Sequence, residues 1–306
     1  MSALDRLPPW ATTGVGSLPH EDVRAAAEHA VQRYDVAFCP QLPRLEGDML
    51  VEWLGADPRR CGWNPERDRE RPRAWEALLS ELDSGAESRV VKLQVTGPVT
   101  LARALSQEVG DHGDAGLRAE IATWTAANVA AQVRALAARG HHALVMVDEP
   151  ALAAVAGGRE LDRSWDPYRS IGAPWGLHLC CAVPWDLIDS AAPDVLSFDL
   201  VATAVDRRAV ATIRSLLARG GRVAWGVTPV QQRDERVSRV GTASGRLAAA
   251  VLRCGADGAQ SLLTASCGTG RQAIGREHEI AASLGLIASA ARAHWPAAIR
   301  ATAPFA

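Results

Sequence analysis

Apolar positions along the chain follow two alternating rhythms. Short β-rich runs occur at ATTGVGSLP (11–19), VAFCPQLP (36–43), RVVKLQVTGP (89–98) and ALVMVDEP (143–150). The second half repeats the pattern with GLHLCC (176–181), VLSFDLV (195–201), RVAWGVTP (222–229) and SLLTASCGTG (261–270). Between them lie Ala-rich stretches such as AEIATWTAANVAAQVRALAARG (119–140) and ATIRSLLARGG (211–221), whose apolar residues recur at helical spacing and whose ends are marked by glycine. Strands separated by helices predict a parallel sheet, because parallel neighbours need crossover connections. Eight such strands in 306 residues predict an α/β protein closed as a (β/α)8 TIM barrel. A doubly wound open sheet is the alternative. A single domain over 1–306 is expected, with the Arg-, Pro- and Trp-rich stretch 57–75 inserted after the second strand.

The polar residues gather where the strands end. Gly16-Ser17, Pro40-Gln41, Thr96-Gly97, Asp148-Glu149, His178-Cys180-Cys181, Asp199, Thr228 and Cys267-Gly268 close the eight runs in turn. In a barrel these ends share the C-terminal face, where active sites are built. His178 and Cys180 are two apart, so on a strand they point to one face. With Cys267 from a later strand they suit Zn2+, which prefers Cys and His, and Asp199 is placed to complete a tetrahedron. Cys181 faces the other way and reads as a packed thiol.

Each of these signals has a plainer counterpart. Cysteine is commonly buried, and HLCC lacks the paired CxxC spacing of a structural zinc module, so His178 and the cysteines also fit an ordinary core. Asp148 is placed to hold a substrate ammonium group, although a carboxylate beside proline often only ends an element. GVGS and VTGP offer backbone N–H groups for a carboxylate or another anion, or simply make turns. His20, His141 and His142 read as surface or capping residues. GxGxxG, GxxxxGK[ST] and GxSxG are all absent from the sequence, which removes the usual dinucleotide, P-loop and hydrolase readings.

Composition narrows the partners. A net charge of -2 gives no electrostatic case for nucleic acid or an anionic membrane. Lys92 is the one lysine, the other cations being arginine. The start, MSALDRLPPW, has no signal-peptide pattern, no apolar run reaches a membrane span, and six cysteines then predict thiols in a reducing cytoplasm.

With GVGSLPH, LQVTGPVTLA, VDEPAL, HLCC, SFD and SCGTG in order over residues 12–270, the chain resembles the catalytic domain of cobalamin-independent methionine synthase. That family belongs to the methionine synthase and uroporphyrinogen decarboxylase-like superfamily of TIM barrels. The resemblance implies zinc held by His178, Cys180 and Cys267, with Asp199 where the family has a glutamate. It implies that Val15, Gly16 and Ser17 hold the amino acid carboxylate and Asp148 the amine. It implies a zinc-dependent S-methyltransferase acting on a thiol, homocysteine to methionine being the first expectation. The folate side departs from the family. Its tryptophan is Ala104 here, its pterin glutamate is Ala154, and Thr228 stands near the place of its proton-donating histidine. A methylcorrinoid donor, free or on a partner protein, is therefore expected instead of methyltetrahydrofolate. A uroporphyrinogen decarboxylase-like lyase and a non-enzymatic zinc- or thiol-binding protein are the alternatives.

Overall fold

Strand alternation organises the molecule. The computed structural model describes residues 2–66, 71–106, 115–155, 159–180, 182–231 and 240–295. The strands are β1 (Ala11–Thr12), β2 (Ala37–Phe38), β3 (Val90–Thr96), β4 (His142–Asp148), β5 (Trp175–Leu179), β6 (Val195–Asp199), β7 (Arg222–Thr228) and β8 (Ser261–Ala265). All pairings are parallel, in the order β1-β8-β7-β6-β5-β4-β3-β2. The two ends of that order meet. Val36 N donates to Thr12 O at 3.0 Å, Gln41 N to Gly16 O at 3.1 Å and Leu18 N to Gln41 O at 2.9 Å. The sheet thus closes into the predicted (β/α)8 barrel, and the open alternative falls away.

Each run forms its strand, and Thr96, Asp148, His178, Asp199 and Thr228 are still paired in the ladder, but at β1, β2 and β8 regular pairing stops before the polar residues assigned to the run. The difference is greatest at β1 and β2. There Gly14, Gly16 and Pro40 interrupt the ladder, which resumes only as a single Ser17–Gln41 bridge. These polar residues belong to the loops at the barrel mouth.

The helices are α1 (Val23–Gln32), α2 (Pro43–Glu46), α3 (Met49–Leu54), α4 (Trp75–Asp83), α5 (Pro98–Leu105), α6 (Ala115–Ala137), α7 (Leu152–Val155), α8 (Trp185–Ala191), α9 (Arg207–Ala218), α10 (Val240–Cys254) and α11 (Ile274–His294). Local sequence explains several ends. The Asp22 carboxylate accepts the N–H groups of Arg24 and Ala25 at the start of α1, at 2.8 and 3.0 Å. Gly140 and Gly220, at φ +80° and +84°, turn the chain out of α6 and α9, as their placement predicts. Among the described residues no helix is long and apolar enough to cross a membrane.

Two apolar clusters lie on either side of the sheet. Inside the barrel, Val90, Leu144, Met146, Val195, Ala224 and Leu262 pack with Ala3 and Leu4 of a short N-terminal 3-10 helix, which plugs the lower mouth. Outside, Leu93, Val95, Val145, Val147, Phe198 and Trp225 pack under the helices. Truncating one of these large buried side chains costs about 3–5 kcal/mol, so this outer layer contributes much of the stability. The described part of 57–75 folds back onto the barrel instead of standing apart. Trp63 Nε1 donates to Glu120 on α6 at 2.9 Å, and its ring meets Trp124 edge-on at 5.5 Å.

Candidate metal centre

The inner positions of β3 to β8 change from apolar to polar as they approach the upper mouth. On β5 the inner side chain is His178, and Gly176 two residues earlier leaves room for the crossing strand, since a Cβ there would meet Val195 O at 2.5 Å and Met146 Sδ at 2.7 Å. Cys180 follows β5 at the exposed rim, and Cys267 follows β8, half-buried. One ligand atom from each of His178, Cys180 and Cys267 lies within 4.8 Å of the other two.

His178 is already oriented for a ligand. Its Nδ1 is 2.9 Å from Ser197 Oγ on the neighbouring strand, which fixes the ring. Its Nε2 is buried and has no hydrogen-bond partner among the described residues. Such an orphan costs about 1–3 kcal/mol unless something accepts its lone pair or proton. A hydrogen bond with Cys180 and the electrostatic pull of His178, against the effect of burial, hold the Cys267 thiol well below its ordinary value. One imidazole nitrogen with its second-sphere partner and two thiol sulfurs, at a partly open rim, fit the donor preferences and the open coordination of a catalytic Zn2+ site.

Asp199 sits beside this set, close enough for Cys267 and His178 to act on its carboxyl electrostatically. Its Oδ1 accepts the N–H groups of Val201 and Ala202 at 2.7 and 3.1 Å, fastening the loop after β6. Only Oδ2 remains for a further contact. Cys181 lies outside the described residues.

A polar chain runs beneath the mouth. Lys92 Nζ donates to Val15 O at 2.6 Å and to Gln94 Oε1, and Gln94 Nε2 donates to both Asp148 oxygens at 3.0 and 3.1 Å. Asp148 lies level with His178 in the β4–β5 register. Burial lifts its carboxyl to about 6, against the pull of His178, Lys92 and Gln94. Burial likewise brings the Lys92 ammonium down to about 7, against the attraction of Asp148. A cavity of about 20 Å³, close to the size of one water, lies among Lys92, Gln94, His178 and Ser197.

The residues of GVGS are bound into the same wall. Gly16 is crowded, because a Cβ would run into the Gln94 side chain. Ser17 O accepts the Thr269 N–H at 2.9 Å, and Ser17 Oγ accepts that of Gly270 at 3.3 Å, two and three residues after Cys267. Sequence reasoning missed Lys92, Gln94 and Ser197. The signal was present: in VVKLQV the two polar residues are two apart and therefore share the inner face.

The histidines outside the centre differ from expectation. His20 and His141 are buried at 4% and 6% exposure instead of lying on the surface. His141 Nδ1 accepts the Arg89 N–H at 3.3 Å. His20 meets the ring of His29 at 5.1 Å. His142 opens β4 at the opposite mouth, where a cavity of about 420 Å³ is lined by His141, Pro174 and Asp194, away from Cys180 and Cys267.

Glu149, next to Asp148, points outward. Its carboxylate accepts the N–H groups of Val99 and Thr100 at 3.1 and 2.8 Å, the Thr100 hydroxyl at 2.6 Å and Trp165 Nε1 at 3.1 Å. It thereby caps α5, whose own N-cap residue, Gly97, has no side chain to do so.

No protein-family model matches the chain, and no curated protein matches it. Among solved structures it is similar to a B12-independent methionine synthase from Shewanella sp. W3-18-1 in complex with selenomethionine. That likeness has a TM-score of 0.62 at 13% identity, over 94% of this chain and 98% of the other. It is also similar to a methyltransferase from Methanosarcina mazei, with a TM-score of 0.61 at 13% identity, over 94% and 96% of the two chains. At that identity the likeness is one of backbone path: the chain has the barrel fold of these two methyltransferases.

Proposed function

We propose that the chain is a zinc-dependent methyltransferase that acts on a small thiol, homocysteine being the best fit. The observation that carries this reading is the orphaned, pre-oriented Nε2 of His178 beside Cys180 and Cys267. These three residues would hold the metal, with Asp199 Oδ2 the candidate for a fourth ligand. Bound there, Zn2+ supplies a Lewis acid that lowers the pKa of a thiol so that a thiolate exists at neutral pH. Asp148 would hold the substrate ammonium, and Val15, Gly16 and Ser17 its carboxylate. Fixing both ends of the amino acid makes attack of sulfur on the methyl carbon nearly unimolecular. Two similarities support this choice: the barrel shared with two methyltransferases, and the selenomethionine bound by one of them, a selenium analogue of the expected product.

The donor side favours a methylcorrinoid. Ala104 on α5 and Ala154 on α7 are too small to grip a pterin, and Thr228, buried at the end of β7, cannot act as a histidine-like acid. When a thiolate takes the methyl group from a methylcorrinoid, the S–C bond forms and the C–Co electron pair stays on cobalt, so no proton is needed. A departing folate nitrogen does need one. A decarboxylase working on a polyanion has less support, since it needs converging cations. Lys92 is bonded to Val15 and Gln94, and Arg44 to Glu21 and Gln272 O. We read the 306 residues as one barrel domain with 57–75 as its insertion, acting in the cytoplasm.

Metal analysis of untagged protein tests the first half of the reading. About one Zn2+ per chain is expected at the sulfur ligands, lost in Cys180→Ser and in Cys267→Ser. Unchanged metal content in both variants overturns it. Homocysteine methylation with methylcobalamin, and at most trace turnover with methyltetrahydrofolate, tests the second half. Robust turnover with folate alone overturns the donor assignment, and zinc binding without turnover from either donor favours a binding protein.

A further inference from the structure

A second group of potential ligands lies where the first and last helices meet. His20 follows the GVGS loop, His29 is on α1, and His278 is in the second turn of α11. One ring nitrogen of each lies within 4.8 Å of the other two. The rings are neighbours, with centroids 5.1 Å apart for His20–His29 and for His29–His278, and 6.3 Å for His20–His278.

We propose that His20, His29 and His278 form a second metal site, distinct from the sulfur centre, that takes a divalent cation of borderline softness such as Zn2+ or Co2+. Imidazole donors suit this class, whereas Mg2+ and Ca2+ demand oxygen. Three further features point the same way. His20 is 4% exposed, yet its Nδ1 has no hydrogen-bond partner among the described residues. Ordinary packing gives that buried nitrogen nothing to do, and a cation does.

The second feature is the support behind His29. Its Nε2 lies 2.9 Å from Glu277 Oε1, and the Tyr34 hydroxyl donates to the same oxygen at 2.6 Å. Glu277 is 1% exposed. With a carboxylate as acceptor, Nε2 carries the proton and Nδ1 keeps its lone pair, which is the carboxylate–histidine arrangement found behind metal-bound imidazoles. The buried carboxylate also supplies negative charge against the cation.

The third feature is access. His278 is exposed, so a cation can enter from solvent, and its side chain can rotate to close the set. Ligands about 2.0–2.1 Å from Zn2+ lie roughly 3.4 Å apart in a tetrahedron, so movement of about an ångström completes it. The site joins the loop after β1 to α1 and α11, the elements flanking the β1–β8 seam.

The test uses untagged Cys180→Ser/Cys267→Ser protein, stripped with a chelator and titrated with Co2+. About one equivalent per chain is expected, with ligand-field bands and no thiolate-to-cobalt charge-transfer band. His278→Ala, a change at an exposed position, should remove it, as should His20→Gln. Glu277→Gln should weaken it about 10- to 100-fold. Absence of binding in the double cysteine variant, or binding that survives both histidine changes, overturns the proposal. Should the double variant fold poorly, wild-type protein decides: an equivalent lacking the thiolate band that disappears in His278→Ala supports the site, whether or not the sulfur centre binds.

Discussion

Asp148 and Glu149 are adjacent, both carboxylates and both buried, yet they serve opposite sides of the barrel wall. Asp148 faces inward, level with His178, and Gln94 is its one direct side-chain hydrogen-bond partner among the described residues. Glu149 faces outward and collects four donors from α5 and Trp165. The alternation of a strand end separates a carboxylate with few hydrogen-bond partners from one tied into the fold by many. A buried carboxylate is therefore a functional candidate only where its hydrogen-bonding capacity is incompletely used.

The widest gap between the two should appear on truncation. Glu149→Ala leaves the Val99 and Thr100 N–H groups, the Thr100 hydroxyl and Trp165 Nε1 without their acceptor. Removing one side of a buried charged network costs about 3–5 kcal/mol, so a large fall in Tm or loss of soluble protein is expected. Burial raises the Glu149 carboxyl from its ordinary value to about 7. A raised folded-state value means that the folded protein binds the proton more tightly than the unfolded chain. Stability from this group is thus full below about pH 4.5 and is lost as pH rises through about 7. Urea midpoints measured across that range should fall in wild type and stay flatter in Glu149→Gln; parallel curves would show that Glu149 stays ionised throughout.

Asp148→Asn should behave in the opposite sense. It keeps the shape, removes a buried charge, and leaves the fold as stable or slightly more so. Losing a charge-assisted contact to a substrate ammonium typically costs about 1.5–3 kcal/mol, which is roughly 10- to 100-fold in affinity for homocysteine. Calorimetric titration of zinc-loaded protein checks this, with zinc content unchanged. Equal affinity in the two proteins would remove Asp148 from the amine site and leave it as part of the Lys92–Gln94 network.

Much of this division was legible in the sequence, because period-two alternation and helical spacing are local. The eight strands, the closed barrel and the gathering of His178, Cys180 and Cys267 at one mouth follow from position along the strands. What alternation does not carry is what a side chain meets beyond its own strand. Ser197 behind His178 depends on the β5–β6 register, and Glu149 as the cap of α5 depends on two crossovers packing together. His20 and His278 lie 258 residues apart in sequence, and only barrel closure brings them together with His29.

The smallest effect tests how evenly Glu149 shares its partners. Trp165 is fully buried, and its Nε1 and the Val99 N–H both donate to Oε1, each at 3.1 Å. Trp165→Phe keeps an aromatic ring in the pocket and removes that donor. One neutral donor to a charged acceptor is worth about 1.5–3 kcal/mol, and the Val99 bond to the same oxygen offsets part of its loss, so a fall of about 1–2 kcal/mol is expected. The smaller ring adds a packing cost within that range. Chemical denaturation should show this shift with an unchanged m-value, while zinc content and homocysteine affinity stay at wild-type levels. A shift as large as that of Glu149→Ala would make Trp165 the keystone of the cap, and lost zinc would show that the two sides of the barrel wall are coupled.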